Sequence, residues 1–297
     1  MPICRSFLLL GLLFFHAGCR LPAWSHPVSR PLATSRQLCQ QSLTAVERGQ
    51  WQEAESLLAQ AVKSCPEDPD SRRQYAEVLW HRGAREEAVA QLLEAGEQSP
   101  DDASLRVRAA EMQLELGNLE LAYQSAQVAL ELDSNLAGAW SVSARIKRAR
   151  GMPRQALADF HRALQFDPLE RDVLLEVAEL YQQMNQPERA LVTLQSLADS
   201  YPPGEEPQKV LFLEGLACSA LGRYDDAVEK FTAAVARDKP TAEILCRLGE
   251  AELAAGRPAR AAAAAHEAIA LAPDYQPGRE LMGRIELAMQ PGPPRRR

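Results

Sequence analysis

The chain has 297 residues, 46% hydrophobic and 25% charged, which is the balance of a soluble globular protein. Its net charge of −7 argues against nucleic acid as the main partner, because phosphate binding needs clustered basic residues. The length would suit one or two ordinary domains, but a chain of stacked repeats buries its core locally and need not divide.

The first 19 residues read as a targeting segment. Arg5 precedes an apolar run from Phe7 to Phe15, which is a signal-peptide core and too short to span a bilayer. His16-Ala17-Gly18-Cys19 then resembles a bacterial lipobox, in which small residues precede a cysteine that is lipidated and becomes the mature N-terminus. His16 departs from that pattern, where an aliphatic residue is usual. Cleavage after Ala23-Trp24-Ser25 with ordinary secretion is the rival reading, and a short signal anchor is the third. All three export the repeat-bearing part of the chain. The expected location is the periplasmic face of a membrane as a lipoprotein, or else soluble periplasmic or secreted. Residues 20–34 contain three prolines and no helical period, so they are expected to form an extended tether.

From Ser35 onward one pattern repeats seven times. Gly49, Gly83, Gly117, Gly151 and Asn185 lie 34 residues apart, Gly222 follows after 37, and Gly256 after 34 more. With position 1 at Ser35, Pro69, Ala103, Ala137, Arg171, Gln208 and Ala242, the units run 35–68, 69–102, 103–136, 137–170, 171–204, 208–241 and 242–275. The eighth position is always Ser, Ala or Gly, and the twentieth is alanine in every unit, from Ala54 to Ala261. The twenty-seventh is alanine except at Leu197. Small side chains at fixed places are what two antiparallel helices need for close approach. Glycine stops the first helix of each pair except the fifth, where Asn185 fills the gap, and Pro66, Pro100, Pro168, Pro202 and Pro273 end the second, with Ser134 in place of proline once and Pro240 one place late.

Trp140, Ala144, Gly151, Ala156, Phe160, Ala163 and Pro168 in one unit, and Gly222, Tyr224, Ala227, Phe231 and Ala234 in another, resemble the tetratricopeptide repeat pattern. The resemblance covers residues 35–275. It implies an all-α, right-handed α-solenoid of about seven helix hairpins. Residues 276–290 are expected to form a capping helix over the last apolar face, and 291–297 to be a disordered tail with a small positive cluster. Tyr201–Pro207 inserts three residues between units five and six and reads as a tolerated surface insertion.

No catalytic constellation emerges. His266-Glu267 begins like a zinc-protease helix, but the second histidine would fall at Ala270. The remaining histidines are scattered, there is no Gly-x-Ser-x-Gly elbow, and the glycines are already explained as helix stops. No enzyme activity, metal, cofactor or small-molecule substrate is expected. Cys39 and Cys65 should lie at the same end of one hairpin, where a bridge is geometrically open; otherwise they are small apolar fillers.

The resemblance places positions 2, 5, 9 and 12 of the first helices on a concave groove that takes a protein or peptide ligand. Here those positions supply Arg73, Glu77, Trp80, Glu111, Arg145, Arg148, Leu175, Glu179, Phe212, Leu216 and Glu250. The expected groove has acidic stations, a central basic pair at Arg145 and Arg148, and an apolar patch at Phe212 and Leu216. The lysine-asparagine clamp of members that hold chaperone tails does not appear, since Cys39/Leu43 and Arg73/Glu77 stand at the candidate places. The resemblance therefore implies a scaffold or adaptor in an envelope assembly or secretion complex, anchored through Cys19. The alternatives are an oligomerising array without peptide binding and a noncatalytic subunit of an envelope enzyme.

Overall fold

Glycine and proline divide the chain where the repeat says they should. The computed structural model describes residues 29–290. The leader, Cys19 and the tail at 291–297 lie outside the described residues. Fifteen helices are found among the described residues: α1 (Arg30–Glu47), α2 (Trp51–Ser64), α3 (Pro69–His81), α4 (Arg85–Gln98), α5 (Ala103–Glu115), α6 (Leu119–Leu132), α7 (Ala137–Ala149) and α8 (Pro153–Phe166). They continue with α9 (Arg171–Gln183), α10 (Pro187–Ala198), α11 (Gln208–Ala220), α12 (Tyr224–Arg237), α13 (Ala242–Ala254), α14 (Pro258–Leu271) and α15 (Gln276–Met289). From α3 onward each odd-numbered helix up to α13 starts on the position-1 residue of its unit. The result is an α-solenoid of seven hairpins.

Each hairpin turns on one left-handed residue. Gly49, Gly83, Gly117, Gly151, Gly222, Gly256 and Asn185 all have φ between 55° and 88°. Only glycine, and asparagine at some cost, takes this conformation readily. Across Gly222 the Arg223 N–H donates to the Cys218 carbonyl at 2.9 Å, and across Asn185 the Gln186 N–H donates to the Tyr181 carbonyl at 2.8 Å. These bonds satisfy carbonyls that the helix end would otherwise orphan.

The small residues form the seam of each hairpin. Ala54, Ala88, Ala122, Ala156, Ala190, Ala227 and Ala261 have no accessible surface. Large side chains then fill between hairpins, with Phe160 and Phe231 fully buried in one cluster with Val177 and Leu180. Polar seams run through several hairpins. Ser125 donates to Gln113 at 2.8 Å, Ser143 donates to Asp159 at 2.7 Å, and Lys230 meets the buried Glu214 at 2.9 Å. In each case position 23 of the second helix meets position 7 or 11 of the first, so a register slip would strand a buried polar group.

Two expectations need adjustment. The tether expected over residues 20–34 ends sooner, because α1 begins at Arg30 and residues 30–34 are helical. Ser29 caps it, accepting from the Leu32 N–H at 3.4 Å, and Pro31 sits in the first turn. A proline costs little there because its missing N–H would have no helical partner. Cys39, Cys65, Cys218 and Cys246 are unbridged, with Cys39 buried, so the filler alternative holds for Cys39.

α15 caps the array as expected: Leu281 and Ile285 are buried against Leu245, Cys246, Ala261, Ala265 and Ala268. It also continues the repeat, with Gln276 at position 1 and Gly283 at position 8. The insertion at 201–207 is tied to both neighbours. The Arg171 guanidinium lies 4.2 Å over the Tyr201 ring, and Arg237 donates to the Gly204 carbonyl. Among the described residues no helix is long and apolar enough to cross a membrane, and no cluster of His, Cys, Asp and Glu has the makings of a metal site.

Candidate functional site

Stacking the hairpins places position 9 of one first helix beside position 6 of the next, and at Glu77/Arg108 and Arg145/Glu176 both partners are charged. Arg108 donates to both Glu77 carboxylate oxygens, at 2.7 and 2.8 Å, and to Glu111 at 3.0 Å. Arg145 lies 4.0 Å from Glu111 and donates to Glu176 at 2.6 Å. Arg148 approaches Glu176 at 3.1 Å and Glu179 at 3.5 Å, and Lys209 meets Glu179 at 2.5 Å. Glu77, Arg108, Glu111, Arg145, Glu176, Arg148, Glu179 and Lys209 thus form one alternating ladder from α3 to α11.

The ladder sets its own electrostatics. The Arg108 guanidinium is held above its ordinary range, chiefly by its hydrogen bond to Glu77. For Arg145, burial works against the charge and is outweighed by the hydrogen bond to Glu176 and the charges of Glu176 and Glu111, so its pKa is also raised. The basic pair expected at Arg145 and Arg148 is therefore neutralised within the groove and does not stand as a positive station. Two of the expected acidic stations, Glu111 and Glu179, are among its counterions, and a third, Glu77, is taken up by Arg108.

Among the described residues, three of the larger cavities open on this face. One of about 550 Å³ is lined by Leu114, Arg145, Arg148, Ala149, Glu179 and Gln183. A second, of about 520 Å³, lies among Gln182, Leu216, Tyr224, Arg247, Glu250 and Arg284. There Glu250 accepts from Arg247 at 2.9 Å and from Arg284 at 2.6 Å, so two guanidinium groups share one carboxylate. The third, of about 410 Å³ between α1, α2 and α3, is apolar, with Leu43, Val46, Trp51, Val78 and Trp80 in its walls. The Trp51 and His81 rings stack there at 3.4 Å, 11° from parallel.

Most of the expected groove residues share this face, and three do not serve it directly. Glu77, Glu111, Arg145, Arg148 and Glu179 join in the ladder, Trp80 lines the apolar cavity, and Leu216 and Glu250 line the second cavity. Arg73 pairs with Asp70 of its own helix at 3.1 Å and lines none of the three cavities. Phe212 packs against Phe231 with centroids 5.8 Å apart, and Leu175 packs on the cluster around Leu174 and Val210, so both are half-buried in the core. Sequence reasoning missed Arg108, Glu176 and Arg247, all at position 6, together with Gln74 at the same position. A polar residue at position 6 in five units, from Gln40 to Arg247, was the available signal.

Tetratricopeptide repeat models match residues 45–105, 147–211 and 212–275. No curated protein sequence matches the chain. Among solved structures the chain is similar to YrrB, described as a tetratricopeptide repeat protein with an unusual peptide-binding site: 23% identity, 64% of this chain, 96% of that one and a TM-score of 0.58. A tetratricopeptide repeat protein of Parabacteroides merdae is 18% identical over 87% of this chain and 100% of its own, with a TM-score of 0.58. Pseudomonas aeruginosa pilF is 16% identical over 86% and 100%, with a TM-score of 0.54. These likenesses are of fold. Seven hairpins in 34-residue phase, stopped by left-handed glycines and matched by the family's models over three stretches, establish that the chain belongs to the tetratricopeptide repeat family.

Proposed function

We propose that the protein is an exported, lipid-anchored scaffold that holds a protein or peptide ligand on the groove face within an envelope assembly or secretion complex. The observation that carries the binding part is the row of three cavities along one face, separated and stiffened by the ion-pair ladder. A face fixed by its own salt bridges is preformed, so the ordering cost on binding falls mainly on the ligand. YrrB, of the same fold, is described as having a peptide-binding site. Export and anchoring rest on Arg5, the Phe7–Phe15 run and Cys19. The protein works by binding, without catalysis.

In-cell crosslinking of the tagged full-length chain tests the binding part. A stoichiometric envelope partner that is lost on Arg148→Glu or Arg284→Glu supports the groove. Partner capture indifferent to both changes removes it. Palmitate labelling that disappears in Cys19→Ser tests the anchor; an unlabelled wild-type chain would leave secretion or a signal anchor.

One observation favours a second reading, the oligomerising array. Leu121, Val128 and Leu132 stand 50%, 38% and 41% exposed on α6, at spacings that align them along one side of the helix. Self-crosslinks through α6, with no partner on the groove, would establish that reading instead.

A further inference from the structure

The cavity of about 520 Å³ at the C-terminal end of the groove is charged differently from the ladder. The ladder balances itself, with Glu77, Glu111, Glu176 and Glu179 set against Arg108, Arg145, Arg148 and Lys209. In this cavity Arg247 of α13 and Arg284 of α15 share the single carboxylate of Glu250, which leaves one positive charge uncompensated within it. Each guanidinium spends one nitrogen on one Glu250 oxygen, at 2.9 and 2.6 Å. Each therefore keeps N–H donors for another acceptor, and the two side chains are 46% and 55% exposed. Among the described residues no other carboxylate pairs with either group. Burial opposes the charge on Arg247, but the hydrogen bond and charge of Glu250, with the charge of Glu243 outside the cavity, hold it above its ordinary range. Leu216, Ala251 and Ala254 give the same cavity an apolar wall, and Ser219 and Tyr224 bring hydroxyl-bearing side chains to its lining.

We propose that this cavity is the station at which the partner peptide seats one glutamate side chain. Its carboxylate accepts from the remaining N–H groups of Arg247 and Arg284, and its methylenes lie against the apolar wall. One added negative charge brings the station to the same balance as the ladder. A chain-terminal carboxylate has no methylenes before it and would set polar backbone on Leu216 and the alanines, so the side chain is the better fit. The station rests on the reading of this face as a peptide groove, and it names the chemistry that the last hairpin and α15 select.

The test uses full-length protein labelled with 3-fluorotyrosine, in which Tyr224→Phe identifies the Tyr224 fluorine resonance. The probes are acetyl-Ala-Ala-Glu-Ala-Ala-amide, the same peptide with glutamine in place of glutamate, and the glutamine peptide with a free C-terminal carboxylate. The expected result is movement of the Tyr224 resonance, with the glutamate peptide bound about fivefold tighter than its glutamine twin at low salt. That preference should shrink as ionic strength rises. Arg284→Gln, at an exposed side chain where folding tolerates the change, should erase it. Equal binding of the glutamate and glutamine peptides, or a preference that survives Arg284→Gln, overturns the carboxylate station. Tighter binding of the free-carboxylate peptide than of the glutamate one overturns the side-chain assignment in favour of a chain end. A Tyr224 resonance that stays still with every peptide overturns the subsite. Partner capture that still depends on Arg148, by a chain whose Tyr224 ignores the peptides, sinks this station alone; capture indifferent to both Arg148→Glu and Arg284→Glu sinks the groove reading itself.

Discussion

Gly215 of α11 lies so close to Phe231 of α12 that a Cβ added to it would sit 2.5 Å from the ring. Both residues occur in the most regular unit of the repeat, and the contact shows why position 8 is small: the second helix sets its large side chain directly on the first. Gly283 occupies the same position in α15, yet a Cβ there would meet nothing within 4 Å. Among the described residues no helix follows α15 to pair with it as α12 pairs with α11. The same substitution should therefore have opposite signs at the two sites. Gly215→Ala forces Phe231 aside and costs about 1–3 kcal/mol. Gly283→Ala gains about 0.5–1 kcal/mol from helix propensity and a less free unfolded chain. Urea unfolding of both variants checks the pair; equal shifts would contradict the packing assignment.

The Glu77–Arg108 contact is the best-formed rung of the ladder, with two parallel hydrogen bonds on one carboxylate. Both side chains remain partly open to water, so solvent screening limits its worth. A double-mutant cycle with Glu77→Ala and Arg108→Ala should return a coupling of about 1 kcal/mol at low salt, falling as ionic strength rises. Coupling indistinguishable from zero at low salt would mean the ladder is ornament on a solenoid held by its alanine seams alone.

That ladder also marks where sequence reading stops. The hairpins are legible because their signals are local and repeated: Gly222 stops a helix and Ala227 packs at a fixed distance in sequence, whatever the neighbouring unit holds. The repeat position alone brings Glu77, Arg145 and Glu179 onto one shared face. Their partners are not legible in this way, because Arg108 and Glu176 reach them across 31 residues from position 6 of the next unit. Charge on a list of positions reads as acidic and basic stations; only the stacking shows that the stations cancel. Phe212 is misweighted for a related reason, since the burial of a groove-edge ring depends on what the next helix, here α12 with Phe231, places behind it.

His161 of α8 lies 2.8 Å from the Tyr181 hydroxyl of α9. Burial holds its imidazole below the ordinary value of 6.5, and the Arg189 guanidinium adds to the depression. Below pH 6.5 the unfolded chain therefore binds this proton more readily than the folded one. The stability that His161 contributes near pH 7.5 is lost as pH falls through 6.5 toward the folded-state value. His161→Gln removes that titration. The wild-type melting temperature should drop more than the variant's between pH 7.5 and 5.5, and parallel pH profiles would count against it.

Glu214 of α11 is 1% exposed, and its carboxylate meets Lys230 of α12 at 2.9 Å. Burial opposes the charge on Lys230, but the hydrogen bond and charge of Glu214 outweigh it and hold the ammonium above its ordinary range. Such a pair contributes little net stability, because the Glu214 carboxylate has left water to make it, yet that carboxylate without the half-buried Lys230 is expensive. Lys230→Met should cost about 3 kcal/mol by leaving the carboxylate uncompensated. Combining it with Glu214→Met replaces the pair by apolar volume and should restore stability to within about 1 kcal/mol of the wild type. Urea unfolding of the single and double variants distinguishes the cases. A double variant at least as unstable as the single one would show that the pair is worth more than its desolvation, and that this hairpin depends on it for more than register.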